Sequence, residues 1–182
     1  MTHEATIIIR PCHNDDLQEP RLSQIVTLIN EVYAVAEVGM WAPHFKRVQK
    51  DEVITFIRET KLIFALKDDR IVGSIFVTKL NASLGEFGML VCDPSERHQG
   101  IGRRLIAAAE EHCRNLGCST MQLELLYPRD WPQKTKEILK EWYPKLGYQK
   151  GQEEDFNKYY PQLKPVLATE CVFAIYKKSL PH

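Results

Sequence analysis

Leu90-Val91-Cys92-Asp93-Pro94-Ser95-Glu96-Arg97-His98-Gln99-Gly100-Ile101-Gly102-Arg103-Arg104-Leu105 runs from a strand through a turn into a helix. The strand, Phe87 to Cys92, is an apolar run ended by Asp93-Pro94. The helix, Gly102 to Leu116, is rich in alanine and stops at Gly117. Gly100 and Gly102 stand in the turn between them. The first turn of a helix leaves its amide N–H groups without partners and carries roughly half a positive charge. Glycine lets the backbone approach a bulky anion, so a turn of this kind suits a pyrophosphate. Arg97, Arg103 and Arg104 add fixed positive charge at the same end. Taken alone, the pattern also fits a glycine turn that merely joins a strand to a helix. A dinucleotide fingerprint does not fit, because Leu105 stands where its third glycine belongs and no parallel β-α-β unit precedes the turn.

Upstream, Lys61 to Leu66 and Ile71 to Thr78 are β-type runs separated by Asp68-Asp69-Arg70, a hairpin pattern. Before them, Leu22, Ile25, Val26, Leu28, Ile29, Val32 and Tyr33 recur at helical spacing, and Gly39 follows as a stop. Met40 to Phe45 is aromatic and broken by Pro43, so it reads as irregular. Val53, Ile54, Phe56 and Ile57 predict a second helix, with Asp51 as its cap. Ala5 to Arg10, closed by Pro11, predicts the first strand. Downstream, Met121 to Leu126 reads as a strand and Lys134 to Leu146 as a helix closed by Gly147. Val172 to Tyr176 is the last strand. The order of six strands and four helices predicts one α/β sheet domain over residues 1–182.

Composition narrows the function. At 182 residues and 21.1 kDa the chain can bury a core without staples. Its 24 basic and 24 acidic residues cancel, which argues against nucleic acid as a partner. Five cysteines, Cys12, Cys92, Cys113, Cys118 and Cys171, show no metal-ligand spacing and read as free thiols in a reducing compartment. Met1 to Glu4 resembles no export signal, and no apolar run approaches a membrane span. A cytoplasmic protein without membrane association or metal is expected.

Arg97-His98-Gln99-Gly100-Ile101-Gly102 resembles the acetyl-CoA signature, Arg/Gln-x-x-Gly-x-Gly/Ala, of the GCN5-related N-acetyltransferase (GNAT) superfamily. Trp142-Tyr143-Pro144-Lys145-Leu146-Gly147-Tyr148 resembles that family's aromatic-Tyr-x-Lys/Arg-x-Gly-aromatic stretch. The two stand in the family's order, with a strand between them. The resemblance implies a single mixed, mostly antiparallel sheet, splayed between its fourth and fifth strands and flanked by about four helices.

It also implies acetyl-CoA as co-substrate and a primary amine as acceptor. By position, the backbone of Leu90, Val91 and Cys92 would pair with the pantetheine arm, and an N–H near Cys92 would polarise the thioester carbonyl. Amides over His98, Gln99, Gly100, Ile101, Gly102 and Arg103, together with Arg97, would hold the pyrophosphate. Tyr143 falls at the family's general-acid position, with a tyrosine that packs helix against sheet as the alternative. Glu86 falls where the histone-acetylating branch carries its base, with a solvated strand-end carboxylate as the alternative. It is expected to share strand parity with Gly88, Leu90 and Cys92. Glu124 is a second candidate, and a water chain could replace either. One departure is Lys136, which stands where many members have a cofactor-contacting asparagine.

The acceptor would be gripped by variable parts: Tyr33, Met40, Trp41, His44 and Phe45, an insertion at Tyr127 to Trp131, and the segment Gly151 to Thr169. That segment carries Glu153, Glu154 and Asp155 beside Phe156, Tyr159 and Tyr160, which suits a cationic amine or else a solvated charged loop. Acetylation of a small-molecule amine or an amino acid is the first reading. A protein lysine or N-terminus is the second, and a non-catalytic acyl-CoA-binding module on the same fold is the third. A homodimer is compatible with all three.

Overall fold

The computed structural model describes residues 6–181. Ala5, where the sequence starts the first strand, and Met1 to Glu4 lie outside them. In chain order the elements are β1 (Ile7–Pro11), α1 (Arg21–Ala36), α2 (Lys50–Arg58), β2 (Leu62–Lys67), β3 (Arg70–Lys79) and β4 (Leu84–Cys92). Then follow α3 (Ile101–Asn115), β5 (Thr120–Pro128), α4 (Lys134–Lys145), β6 (Gln149–Asp155), the single turn α5 (Phe156–Tyr159) and β7 (Cys171–Ser179). One seven-stranded sheet takes the order β1-β2-β3-β4-β5-β7-β6. Every pairing is antiparallel except β4 with β5. No helix among the described residues is long and apolar enough to cross a membrane.

The sheet is splayed. Strands β4 and β5 pair only through Leu84–Thr120, Gly85–Met121 and Glu86–Gln122, after which they part. Helix α3 packs on β3 and β4 through Ile101, Leu105, Ile106, Ala109 and Cys113, and α4 adds Tyr143 to the same cluster. On the other face α1 and α2 bury Leu22, Ile25, Ile29, Val53 and Ile57 against β2 and β3. A smaller cluster of Met40, Phe156, Cys171 and Phe173 holds the loop after α1 to the segment before β7.

Several sequence readings need correction. Pro11 is the last residue of β1 rather than its stop; on an edge strand its missing N–H costs no ladder bond. The cap of α2 is Gln49, whose N–H donates to the Glu52 carboxylate at 2.7 Å, and Asp51 lies inside the helix. Strand β6 was expected to be loop. Its sequence, QKGQEED, has no apolar alternation because an edge strand with almost every residue exposed needs none. Tyr127 and Pro128 belong to β5, so the supposed insertion starts at Arg129. The hairpin between β2 and β3 turns as expected, with Asp68 and Asp69 both left-handed at φ 49° and 63°.

Candidate active site

The turn after β4 is braced from below. Glu96, almost wholly buried, accepts from Lys67 at 2.8 Å, Arg70 at 2.9 Å and the Gln99 amide at 2.6 Å. Asp93 accepts from the N–H of Ser95 at 2.9 Å and from Arg70 at 2.5 Å. Above this brace Gly100 takes a left-handed conformation at φ 69° and caps α3 without any side-chain bond to the helix amides. A Cβ on Gly100 would meet nothing, so the glycine answers to backbone conformation and leaves open space above the amides. Gly102 differs, because a Cβ there would lie 3.3 Å from the Trp142 ring.

The structure gathers most of the expected phosphate-turn residues. Arg97, His98, Gln99, Gly100 and Arg103 are exposed on it. Ile101 is buried and anchors the helix start, while the Gln99 side chain is engaged with Glu96. Arg104 is turned away, donating at 2.8 Å to the Ile7 carbonyl, and adds no free donor here. Among the described residues, neither Arg97 nor Arg103 has a carboxylate within ion-pair distance.

Below the turn lies the gap between β4 and β5. Leu90 and Cys92 border it on the α3 side, and Val91 is buried on the α1 side. Burial pushes the Cys92 thiol up to about 11 and raises Cys12, Cys113 and Cys171 as well. None of these four is a thiolate at neutral pH. Tyr143 is 5% exposed and packed among Trp142, Phe87, Tyr148 and Tyr176, with ring centroids 5.4 to 6.3 Å away. Burial raises the pKa of its phenol, and the nearby hydroxyls of Tyr33 and Tyr176 add to the effect. Tyr33 comes from α1, on the opposite face of the sheet.

Glu86 does not share a face with Leu90 and Cys92, contrary to the parity expected. Met89 sits at φ 45° in a bulge where the β3–β4 register slips. Phe87 therefore packs toward α3 and α4, whereas Met89 and Val91 pack toward α1 and α2. Glu86, before the bulge, faces the α1 side, where its carboxylate accepts from the Gln122 amide at 2.6 Å. Burial raises its pKa; the Gln122 bond works against this, and Glu124 adds to it. Glu124 in turn accepts from the Tyr160 hydroxyl at 2.5 Å.

A cavity of about 220 Å³ is lined by Asn30, Tyr33, Glu37, Trp41, Phe45 and Arg47, among others. Trp41 stacks on Phe45 with centroids 4.2 Å apart, and His44 lines the rim at φ 66°. Met40 is fully buried in the small cluster and cannot reach an acceptor. Of the acidic–aromatic segment, Tyr160 alone joins Glu124. Glu153 bonds Tyr127 and Lys150, Asp155 caps α5, and Tyr159 packs on Phe173. Lys136 forms a buried 2.5 Å ion pair with Glu37, which also accepts from the Trp41 indole at 2.6 Å. Sequence reasoning missed Arg47, Gln122 and this pair, because nothing local marks residues whose partners lie far along the chain.

The acetyltransferase (GNAT) family model matches residues 26–148. A search of curated proteins finds no match. Among solved structures, N-acetylglutamate synthase from Neisseria gonorrhoeae, complexed with coenzyme A and N-acetyl-glutamate, is 21% identical with a TM-score of 0.64. That comparison covers 98% of this chain but only 36% of the other, so the chain spans about a third of its length. The PaiA N-acetyltransferase from Thermoplasma acidophilum in complex with coenzyme A is 17% identical, with a TM-score of 0.71 and coverage of 96% and 99%. YncA from Salmonella typhimurium, with acetyl-CoA, is 12% identical with a TM-score of 0.68, covering 98% and 96%. At such identities these structures establish a shared fold.

Proposed function

The chain belongs to the acetyltransferase (GNAT) family, and on that premise we propose that it moves an acetyl group from acetyl-CoA to a primary amine of a small molecule. Three observations support this reading: the uncapped helix amides at Gly100–Gly102, the parting of β4 and β5 after Glu86–Gln122, and Tyr143 packed against Phe87 of β4 and Tyr176 of β7. The pyrophosphate would rest on the amides from His98 to Arg103, with Arg97 and Arg103 supplying charge. The pantetheine arm would lie along Leu90, Val91 and Cys92, where β4 lacks its partner.

Transfer would occur by direct attack in a ternary complex. Burial keeps Cys92 a thiol, so an acyl-cysteine intermediate has no nucleophile ready in this gap. The amine nitrogen attacks the thioester carbonyl, a C–N bond forms and the C–S bond breaks. The departing thiolate, of pKa near ~8.5, takes a proton from Tyr143, whose raised pKa keeps it protonated at any working pH. The proton lost by the amine goes to Glu86, whose raised pKa makes it a better base than an ordinary surface carboxylate. Alignment of the two substrates would supply most of the acceleration.

The test is thermal unfolding with acetyl-CoA, NADH or ATP at equal concentration, followed by thiol-release assays over a panel of amines. Ligand at a hundred times its Kd adds about 2.7 kcal/mol, a rise of several degrees. A rise specific to acetyl-CoA with amine-dependent thiol release supports the enzyme. Tight retention of acetyl-CoA with no thiol release on any amine would instead identify a binding module.

A further inference from the structure

We propose that Glu96 and Gln99 are positioning residues for the cofactor: one side-chain bond between them fixes the backbone of the phosphate turn, and the β2–β3 hairpin holds that bond in place. This rests on the acetyltransferase reading above and concerns the pyrophosphate end of the same site.

The turn has little of its own to hold its shape. His98 and Gly100 both take left-handed conformations, at φ 65° and 69°. Glycine enters that region freely, whereas His98 enters it against its own Cβ. Among the described residues, the amides of Arg97, His98, Gln99 and Gly100 make no backbone hydrogen bond. Such a conformation persists only where its surroundings impose it. Gln99, standing between the two left-handed residues, supplies the tether: its side-chain amide donates to the Glu96 carboxylate at 2.6 Å. A carboxylate only accepts, so Gln99 must present its NH2 group, and the direction of its side chain is set.

Glu96 is itself held from two further directions. It is buried, and it accepts from Lys67, the last residue of β2, at 2.8 Å and from Arg70, the first residue of β3, at 2.9 Å. The other arm of Arg70 donates at 2.5 Å to Asp93, just past the end of β4. A hairpin built into the sheet therefore grips Glu96, Glu96 grips Gln99, and Gln99 fixes the turn. Each link is a hydrogen bond between side chains that lie on different parts of the chain.

Charge and positioning make opposite predictions here. Asp93 and Glu96 place two carboxylates beside a turn read as an anion site, and Lys67 and Arg70 cancel them. Removing the Glu96 carboxylate leaves an excess of positive charge, which by electrostatics alone strengthens the hold on a pyrophosphate. With Glu96 acting through Gln99, the same removal weakens that hold, because a loosened turn must be ordered again when the anion binds.

The experiment measures binding of two thioesters by calorimetry: acetyl-CoA, and S-acetylpantetheine, which keeps the pantetheine arm but carries no phosphate. Gln99→Met should weaken acetyl-CoA about tenfold and leave S-acetylpantetheine within about twofold of the parent. Glu96→Met should do the same. The double variant should bind acetyl-CoA no more weakly than the worse single one, since both remove one link. Gln99 is exposed, so its variant decides the matter even where Glu96→Met fails to fold. Unchanged or tighter acetyl-CoA binding in Gln99→Met overturns the proposal, as does an equal loss for the two thioesters or additive losses in the double variant. A parent protein that binds no acetyl-CoA overturns the acetyltransferase reading and this proposal with it, whereas the other failures strike this proposal alone.

Discussion

Tyr143 and Glu86 occupy environments that push both pKa values upward, with opposite consequences. A phenol shifted up holds its proton more firmly, which keeps Tyr143 in its donor form but makes it a weaker acid toward a thiolate; Tyr143→Phe should lower kcat by about 10²- to 10⁴-fold and leave acetyl-CoA affinity nearly intact. Stopped-flow thiol release with parallel calorimetry checks this, and unchanged kcat removes Tyr143 from the mechanism. A carboxylate shifted up must lose its proton before it can accept one. The acidic limb of the pH–rate profile should therefore sit above the ordinary glutamate value of about 4.3 and vanish in Glu86→Gln. Gly100 was legible from sequence because its demand is local: a left-handed backbone that leaves room above the helix amides. Arg47 was not, since the cavity it lines exists only once α1 and the loop after it have packed.

At the scale of elements, two approaches hold the site together. Helix α3 lies so close to β4 that a Cβ on Gly85 would come within 2.4 Å of the Cys113 sulfur. Gly85→Ala should cost about 1–3 kcal/mol and lower Tm by several degrees, whereas a variant that unfolds like the parent would show that α3 can shift freely. Helices α1 and α4, which serve opposite faces, meet where β4 and β5 have parted. Lys136 pairs there with Glu37, and the Gln133 amide donates to the Ala36 carbonyl at 2.7 Å. Lys136→Met strands a buried carboxylate and should cost about 3–5 kcal/mol in chemical denaturation, with the double variant Lys136→Met/Glu37→Gln recovering most of it. An unchanged single variant would mean that water reaches Glu37. The sequence showed Lys136 only as a departure from an asparagine, because the partner that explains it lies 99 residues away. Strand β6 escaped for a simpler reason, since with no buried face it leaves no period in the sequence.

Across the whole molecule, stability in acid should depend on Asp16, which ties β1 to α1. Burial alone would raise its pKa, but Arg10, the His13 N–H and Arg21 outweigh it and hold the carboxyl near about 2. A depressed carboxylate contributes stability above its unfolded pKa of about 3.9 and loses it as pH falls through the folded value. Between about pH 4 and 2 the protein should lose roughly 2 kcal/mol from this group, and Asp16→Asn should flatten that slope in acid titrations followed by circular dichroism. The sequence by itself determined the α/β class, the hairpin, the phosphate turn and the order of elements around it. Each follows from short-range periodicity or from backbone freedom within a few residues. Only the tertiary structure decided which face Glu86 occupies, because the single bulged residue Met89 reverses the alternation and carries no sequence mark. The fold likewise decided that Lys136 bridges two helices and that Arg47 faces a cavity, since charges find their partners by packing rather than by position along the chain.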